Sequence, residues 1–288
     1  MKKAILPLIG LLLLSEARSQ SFYGTFFTGG ANYQGEIQEF SFAFRGMRSA
    51  TGFGGHFRLR DQLWVSTEVM VGHLSGRDSE VRSNPSNLDR NLSFETGIQE
   101  LSLQLRLNIL PGLKQPFVPY VTGGAAVFRI DPFVQDGAGQ KQFLYPLSTE
   151  GQGLAAYPDR KMPQRVNLCL PLGAGLEFRV SPTVRVDLEI LFRKSFTDYI
   201  DDVSRSYPDP DILLAARGPA AVELSYRGDE RPGGRSSFPG GEQRGNPNRM
   251  DWYHTFNLRF KYAFLEPRKS AGKKRKYPSI RCWKGEFR

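Results

Sequence analysis

The stretch RVNLCLPLGAGLEFRVSPTVRVDLEILFR, residues 165–193, decides the fold. Its apolar residues recur at every second position on both sides of a Ser-Pro-Thr turn at 181–183. The positions between them hold glycines and charges of both signs, including Glu177 and Asp187. Successive side chains of a strand point to opposite faces, so the pattern predicts a β-hairpin with one apolar and one polar face.

The length of the two arms separates a membrane strand from a soluble one. The arms run about 14 and about 10 residues, whereas strands of soluble sheets usually have about five or six. A strand that crosses a bilayer needs roughly 9 to 11 tilted residues with alternating apolar and polar character. The hairpin is therefore predicted to span a membrane.

The same alternation recurs in six further stretches, close to 21–32, 51–59, 63–74, 100–109, 117–130 and 252–264. The links after the second, fourth and sixth strands are short, at 60–62, 110–116 and 181–183, whereas the other links are long and polar. Even strand number and alternating link length are typical of outer-membrane barrels. The chain is thus predicted to be all-β, an antiparallel up-and-down transmembrane β-barrel of eight strands with long external loops.

Two features leave alternatives within this fold. Ten strands result if the long loops hold another hairpin. Phe40, Phe42 and Phe44 alternate in the first loop and could extend a strand beyond the bilayer. Pro119 and Pro171 fall within predicted strands, and because proline cannot donate to a sheet ladder, we expect a bulge near each.

The two ends of the chain differ from the body. Residues 1–19 combine two lysines, a short apolar run and a small-residue site before Gln20, which predicts a cleaved signal peptide. Of the net charge of +10, segment 1–19 carries +2 and segment 265–288 carries +7, which leaves +1 for 20–264. The barrel domain is therefore 20–264, followed by a basic tail, 265–288, expected to be disordered. A nearly neutral body gives no electrostatic basis for binding nucleic acid.

Four stretches between the strands carry a family resemblance: RNLSF (90–94), PLSTEGQG (146–153), RKSFTDYIDDVSRSY (193–207) and QRGNPNRMDWY (243–253). With the strands, they resemble an outer-membrane β-barrel domain family of largely unknown function, whose best understood relatives are PorG-like components of the type IX secretion system. The resemblance covers nearly all of 20–264, although 24 residues follow the aromatic end of the last strand at Phe264. It implies an integral barrel that partners periplasmic ring lipoproteins.

The predicted inward positions hold many charged residues: Arg58, Glu68, Glu100, Arg106, Glu177, Arg179, Arg185, Asp187, Glu189, Arg193, Arg259 and Lys261. An eight-stranded barrel is just wide enough for side chains to fill it. We therefore expect a packed network of opposite charges and no pore. Glycines at 52–55 and 173–175 are expected to relieve crowding, and Trp252, Tyr253 and Tyr262 to lie in the interfacial aromatic girdle.

The sequence gives less support for a catalytic or metal-binding site than for the barrel fold. Small lipid-modifying barrels use a His-x-Ser pair with a carboxylate, and His73 and Ser75 have that spacing, but Glu68 falls on the opposite strand face. Aspartates at 198, 201, 202, 209 and 211 are rich in oxygen, yet they lack the spacing of known calcium loops, so a solvated or Arg-paired loop is favoured over a calcium site. We expect no enzyme, and no catalytic, cofactor-binding or metal-binding residues.

The functional hypothesis is a non-enzymatic scaffold or anchor in the outer membrane of a Gram-negative bacterium, with both termini periplasmic. By resemblance, it is PorG-like and takes part in type IX secretion. The expected partners are outer-membrane lipid, the barrel-assembly machinery during insertion and secretion-ring lipoproteins. The alternative is a surface adhesin or ligand-binding barrel that acts through its long external loops.

Overall fold

The structure, a computed structural model, describes residues 21–38, 46–80, 85–109, 117–135, 139–238 and 240–265. The predicted signal peptide at 1–19, the alternating phenylalanines 40–44, the link 110–116 and the basic tail beyond Leu265 lie outside these residues.

Eight long antiparallel strands form a closed barrel. They are β1 (Phe22–Gln34), β2 (Arg48–Arg58), β3 (Leu63–Arg77), β4 (Ser93–Asn108), β5 (Phe117–Gln135), β7 (Val166–Arg179), β8 (Val184–Ser195) and β9 (Trp252–Leu265). The order β4-β3-β2-β1-β9-β8-β7-β5 is closed by pairing of β4 with β5. The predicted eight-stranded, up-and-down antiparallel barrel is confirmed.

One short strand stands outside the ring. Strand β6 (Lys141–Phe143) pairs only with the tip of β5, where Phe133 faces Phe143. It prolongs a hairpin above the barrel and adds no strand to the wall, so the ten-stranded alternative is wrong within the described residues.

The two faces of the wall differ as predicted. The outer face is apolar, with Phe53, Leu103 and Leu168 each about 60% exposed or more (65%, 60% and 61%). The inner face buries polar and charged side chains along the same strands. This is the apolar-out, polar-in arrangement of transmembrane barrels. Among the described residues, no helix has both the length and the apolar character needed to cross a membrane.

The links divide between the two ends of the barrel. We call one the loop end, because the described parts of the long connections 35–47, 78–92, 136–165 and 196–251 lie there. The other, the turn end, holds the described short links 60–62 and 181–183 and the outer limits of β1 and β9, where Phe22 pairs with Leu265.

The bulges predicted near the prolines are absent from the described strands. Pairing of β5 with β7 stops at Gly123 and Leu172 and resumes at Ala126 and Cys169 in the same register. Pro171 lies in this gap. The missing N–H therefore costs a hydrogen bond locally but inserts no residue, because the strands on both sides keep their pairing.

Glycines make room inside the wall, as the sequence predicted. A Cβ at Gly175 would overlap the ring of Tyr120, and one at Gly54 would overlap the backbone of the neighbouring strand at Thr67. Large inward side chains thus fit because their cross-strand neighbours are glycines, which have no side chain.

The described parts of the loops contain three short α-helices: α1 (Pro85–Arg90), α2 (Pro210–Arg217) and α3 (Pro219–Ser225). Asp209 caps α2, since its carboxylate accepts the backbone N–H of Asp211 and Ile212. Gly218 joins α2 to α3 with a φ of +84°, a backbone conformation that favours glycine.

Candidate functional site

Paired charges fill the lumen near the turn end. Arg106 lies 2.6 Å from Glu177 and 2.8 Å from Asp187, measured between nitrogen and oxygen atoms. Lys261 lies 2.5 Å and 2.8 Å from the same two carboxylates, and Arg185 lies 2.9 Å from Glu177. Two carboxylates thus contact three cations in one cluster, which leaves one positive charge in excess among these five residues.

A second group continues the network along the lumen. Arg259 bridges Glu68 and Glu189, with 2.5 Å between its Nη2 and Glu189. Further along, the Nε of Arg193 lies 2.6 Å from Glu100. The predicted network of opposite charges is therefore confirmed.

Two of the predicted inward residues lie at the rim of the turn end. Arg58 is 4.0 Å from Asp61, and Arg179 is 3.9 Å from Glu177. The side chain of Arg179 is 37% exposed. These two arginines therefore contribute a partly solvated rim and not the packed interior.

An apolar layer closes the lumen toward the loop end. Its members include Phe27, Met70, Leu74, Phe94, Ile98, Phe128, Ile200, Val203 and Tyr253. Tyr253 was predicted in the aromatic girdle, but it is fully buried and donates to Glu100 at 2.6 Å. Strand parity explains the error, since odd positions of β9 face inward while Tyr262, at an even position, is exposed.

Above this layer the long loops fold into one polar body, which we call the cap: residues 35–38, 78–92, 139–165 and 196–251 as far as described. Its centre is the fully buried Glu150. Glu150 accepts the backbone N–H of Ser204 and Arg205, at 2.9 Å and 3.0 Å. It also accepts from Arg244 Nη1 at 3.0 Å.

A second buried pair ties the other loops to this centre. Arg90 donates from Nε and Nη2 to both oxygens of Asp78, at 2.9 Å and 2.7 Å. Its Nη1 donates to the backbone carbonyl of Arg244, and its Nη2 also donates to the backbone carbonyl of Glu36. Asp78 also accepts the N–H of Leu92 at 2.8 Å. Hydrogen bonds thus join all four loops.

The four sequence stretches that carry the resemblance meet in the cap. Segment 90–94 supplies Arg90, segment 146–153 supplies Glu150, and segment 243–253 supplies Arg244. Segment 193–207 supplies the Ser204 and Arg205 amides. The sequence did not predict that these four stretches form one site. An Arg or Glu in an otherwise Gly-rich and Pro-rich loop was the available signal.

Three acids gather where the cap meets the barrel wall. Each of Glu36, Asp201 and Asp251 offers an oxygen within 4.8 Å of the other two. The hydroxyl of Tyr33 lies 2.6 Å from Asp201 Oδ2 and 2.9 Å from Asp251 Oδ1. Neither carboxylate oxygen of Glu36 has a hydrogen-bond partner among the residues that the structure describes, although both are inaccessible to solvent. We call these three residues the acidic cluster.

Burial raises the pKa of the three acids of the acidic cluster and of two neighbouring aspartates. It is the largest cause for Glu36, whose pKa rises to about 9, with further increases from the charges of Asp201 and Asp198. The pKa of Asp201 rises to about 6, and those of Asp202 and Asp198 to about 7. The pKa of Asp251 lies well above its ordinary value, through burial and the charge of Asp201. Burial therefore favours the protonated form of these acids.

Three of the five loop aspartates differ from the solvated or Arg-paired loop that the sequence favoured, whereas Asp209 and Asp211 are exposed as predicted. Asp198, Asp201 and Asp202 are buried, and none belongs to an ion pair among the described residues. Asp209 and Asp211 lie apart at the start of α2, where Asp209 serves as the cap. The sequence spacing of the loop aspartates did not reveal that Glu36 and Asp251, from distant parts of the chain, complete the acidic cluster.

The His-x-Ser pair is not assembled into a site. His73 is exposed on the outer face of β3, whereas Ser75 is buried and accepts from Arg48 at 2.9 Å. Glu68 lies inside the lumen, beside His56 at 2.7 Å. The three candidate residues therefore lie on different faces or at different depths of the wall.

Each end of the barrel has a recess. The cap holds a cavity of about 440 Å³ lined by Arg90, Tyr207, Tyr226, Arg244 and Arg249 among others. The turn end holds a wider recess of about 690 Å³, lined by Arg58, Arg60, Asp61, Arg179 and Arg185 among others.

Several solved structures have a similar fold. Neisserial surface protein A is 9% identical, with a TM-score of 0.43, and the match covers 85% of this chain and 98% of that one. Ail, the attachment invasion locus protein of Yersinia pestis, solved with a heparin analogue, is 9% identical with a TM-score of 0.40, covering 85% and 99%. OprG of Pseudomonas aeruginosa is 11% identical with a TM-score of 0.41, covering 85% and 97%. No curated protein sequence matches the chain.

A family model matches residues 2–217, three quarters of the chain, including strands β1 to β8 and three of the four stretches that meet in the cap. The chain belongs to the family described as "Domain of unknown function (DUF6089)".

Proposed function

We propose that this protein is a non-enzymatic outer-membrane barrel that acts as a scaffold or anchor. The observation that carries this proposal is the filled lumen. Arg106, Lys261 and Arg259 each contact two buried carboxylates, and the apolar layer lies between them and the cap. A barrel packed in this way has no water-filled path, so its function lies at its two ends.

The finer proposal is a PorG-like role in type IX secretion, with both termini and the turn end in the periplasm. The resemblance of the four cap stretches supports it. The recess at the turn end supports it physically, because four arginines and one aspartate line an open surface. An acidic segment of a periplasmic ring lipoprotein would complement that charge.

The test is to recover the epitope-tagged protein from gently solubilised outer membranes and identify what accompanies it. Charge reversal of Arg60 and Arg179 to Glu should reduce recovery of ring lipoproteins at least about tenfold, if interface charges contribute as they do elsewhere. Arg235→Glu, on the exposed surface of the cap, is the matched control and should change nothing. Recovery of the barrel alone, with unchanged secretion in a deletion strain, would reject the scaffold role.

A second function, ligand binding through the external loops, is favoured by one observation. The cap cavity of about 440 Å³ combines two tyrosines with arginines, and its walls are held by buried hydrogen bonds. Pre-formed concave surfaces with few polar groups are the usual form of small-ligand sites.

Variants in the cavity separate the two functions. Tyr207→Ala with Arg249→Ala should spare recovery of periplasmic partners under the scaffold proposal and abolish surface adhesion under the alternative. Loss of adhesion without loss of secretion would transfer the function to the cap.

A further inference from the structure

Five buried acids of the cap lack a cation. Glu36, Asp198, Asp201, Asp202 and Asp251 take part in no ion pair among the residues that the structure describes. The two buried arginines of the cap are already neutralised, Arg90 by Asp78 and Arg244 by Glu150. Burying a carboxylate without a compensating charge is costly, so these acids either take up protons or share a bound cation.

Hydrogen bonds do not fully compensate the charges of these acids. The phenol of Tyr33 has one proton but faces both Asp201 and Asp251, so it cannot satisfy the two fully. The other oxygens of these aspartates accept the backbone N–H of Val203 and Ile200, at 2.9 Å and 2.8 Å. These bonds hold the aspartates in place and leave their facing oxygens pointed at one another.

Glu36 is the independent sign of a missing ligand. The residue is only 8% exposed, and both of its oxygens are buried without a hydrogen-bond partner. Buried polar groups almost always have a partner, so an unpartnered carboxylate beside two others indicates that something is bound between them.

We propose that Glu36, Asp201 and Asp251 bind a divalent cation of the calcium class. Calcium takes six to eight oxygen ligands at about 2.3–2.6 Å and accepts irregular geometry. The spacing of up to 4.8 Å among the three offered oxygens is about twice that bond length. Glu36 has both oxygens available, and water completes the shell. Magnesium fits less well, because it requires near-octahedral geometry with shorter bonds.

The cation would lie on the seam of the barrel. Glu36 follows the last residue of β1, Gln34, which pairs with Trp252, and Asp251 precedes β9. Asp201 comes from the segment that leaves β8. One ion therefore joins the first and last strands to the longest loop. This inference stands whether the barrel is a scaffold or a ligand-binding protein.

Binding can be measured on the mature chain purified from outer membranes and stripped with EDTA in detergent. Terbium occupies calcium sites and emits when nearby tyrosines are excited, and Tyr33 contacts two of the proposed ligands. We expect saturable emission that about 0.1–1 mM Ca²⁺ displaces, in the range of extracellular calcium sites. Mg²⁺ should require at least about tenfold more. Absence of saturable emission, or of displacement by 10 mM Ca²⁺, would overturn the proposal without any variant.

Variants then locate the site. Glu36→Gln and Asp201→Asn should each weaken Ca²⁺ competition at least about tenfold, because each removes a charged ligand. Asp211→Asn, an exposed aspartate of the same loop, should leave it unchanged. Equal affinity in Glu36→Gln and the wild-type protein, or equal loss in Asp211→Asn, would refute the assignment. Heat-modified gel mobility shows whether a variant folds. If a variant does not fold, urea unfolding of the wild-type protein provides the test. Ca²⁺ should then raise the urea midpoint relative to EDTA, and the absence of a rise would reject the site.

Discussion

Arg244 and Glu150 are 94 residues apart in the chain, yet Arg244 Nη1 donates to Glu150 Oε1 at 3.0 Å in the buried centre of the cap. The same guanidinium donates to the carbonyl of Asp202 at 2.5 Å and, through Nε, to that of Ser225 at 3.1 Å. The pair therefore fixes how three loop segments meet.

Glu150→Gln should loosen the cap while the barrel stays folded. The substitution leaves Arg244 buried without its counter-charge, which in other proteins costs about 3–5 kcal/mol. Limited proteolysis of the folded protein should cut within 196–251 much faster than in the wild type, with unchanged heat-modified gel mobility. Glu230→Gln, in the more exposed pair with Arg227, should cleave like wild type. Equal resistance in Glu150→Gln would contradict a structural role for the pair.

Arg259→Met should destabilise the barrel itself. It removes the cation between Glu68 and Glu189 and leaves two buried carboxylates unpaired, at a cost of about 3–5 kcal/mol. The measurement is urea unfolding in lipid vesicles, followed by gel mobility. Adding Glu68→Gln and Glu189→Gln should restore much of the loss. The exposed Arg60→Met is the control, and a midpoint as low as that of Arg259→Met would show that the effect is not specific to the lumen.

The purified protein should not conduct ions in a planar bilayer. Paired side chains fill the lumen at the level of Arg106 and Lys261, and the apolar layer closes it above. Steady, reproducible current steps of the wild-type protein would show that the network opens and would argue against a scaffold.

Gly175→Val should impair folding, because its side chain needs the space of the Tyr120 ring. Tyr120 donates to Glu189 at 2.9 Å and lies 3.6 Å beneath the guanidinium of Arg106, so its displacement also disturbs the charge network. Gly97→Val is the matched control, since a Cβ there meets nothing within 4 Å. The readout is the folded fraction after refolding into detergent, and equal yields for both variants would contradict the crowding argument.

Asp198 predicts a pH dependence of the cap. Burial, together with the charges of Asp201 and Glu150, raises its pKa from 3.8 to about 7. The folded state then binds more protons than the unfolded state, so its contribution to stability is lost as pH rises from about 4 through about 7. Proteolysis of the cap in EDTA should quicken over that range, and Asp198→Asn should reduce the change. A wild-type rate independent of pH would refute the prediction.

Much of the wall could be read from sequence because a strand has a period of two. Leu101, Leu103 and Leu105 are exposed, while Ser102 and Gln104 are buried, as their alternation predicts. The same period places Tyr253 inward, although its residue type suggested a position in the aromatic girdle. The bulges expected at Pro119 and Pro171 were wrong, because a lost hydrogen bond need not shift the register.

The cap could not be predicted in the same way. No period relates Glu36, Asp201 and Asp251, and only barrel closure brings β1 beside β9. The pairings of Arg90 with Asp78 and of Arg244 with Glu150 likewise depend on where four loops meet. Composition showed that these loops are polar, but not which of their charges would be buried.

The shared centre of the cap limits how its surface can change over time. Exposed loops usually accept substitutions and insertions one at a time. Here a change at Arg244 alters its contacts with Glu150 in another loop and with Asp202 and Ser225 in its own. Most single steps are therefore penalised, and paired steps are rare. Substitutions that abolish recognition by an antibody or phage bound near this centre would consequently arise slowly. Rapid escape would be confined to outlying stretches such as 212–217, where Ile212 and Leu214 are exposed.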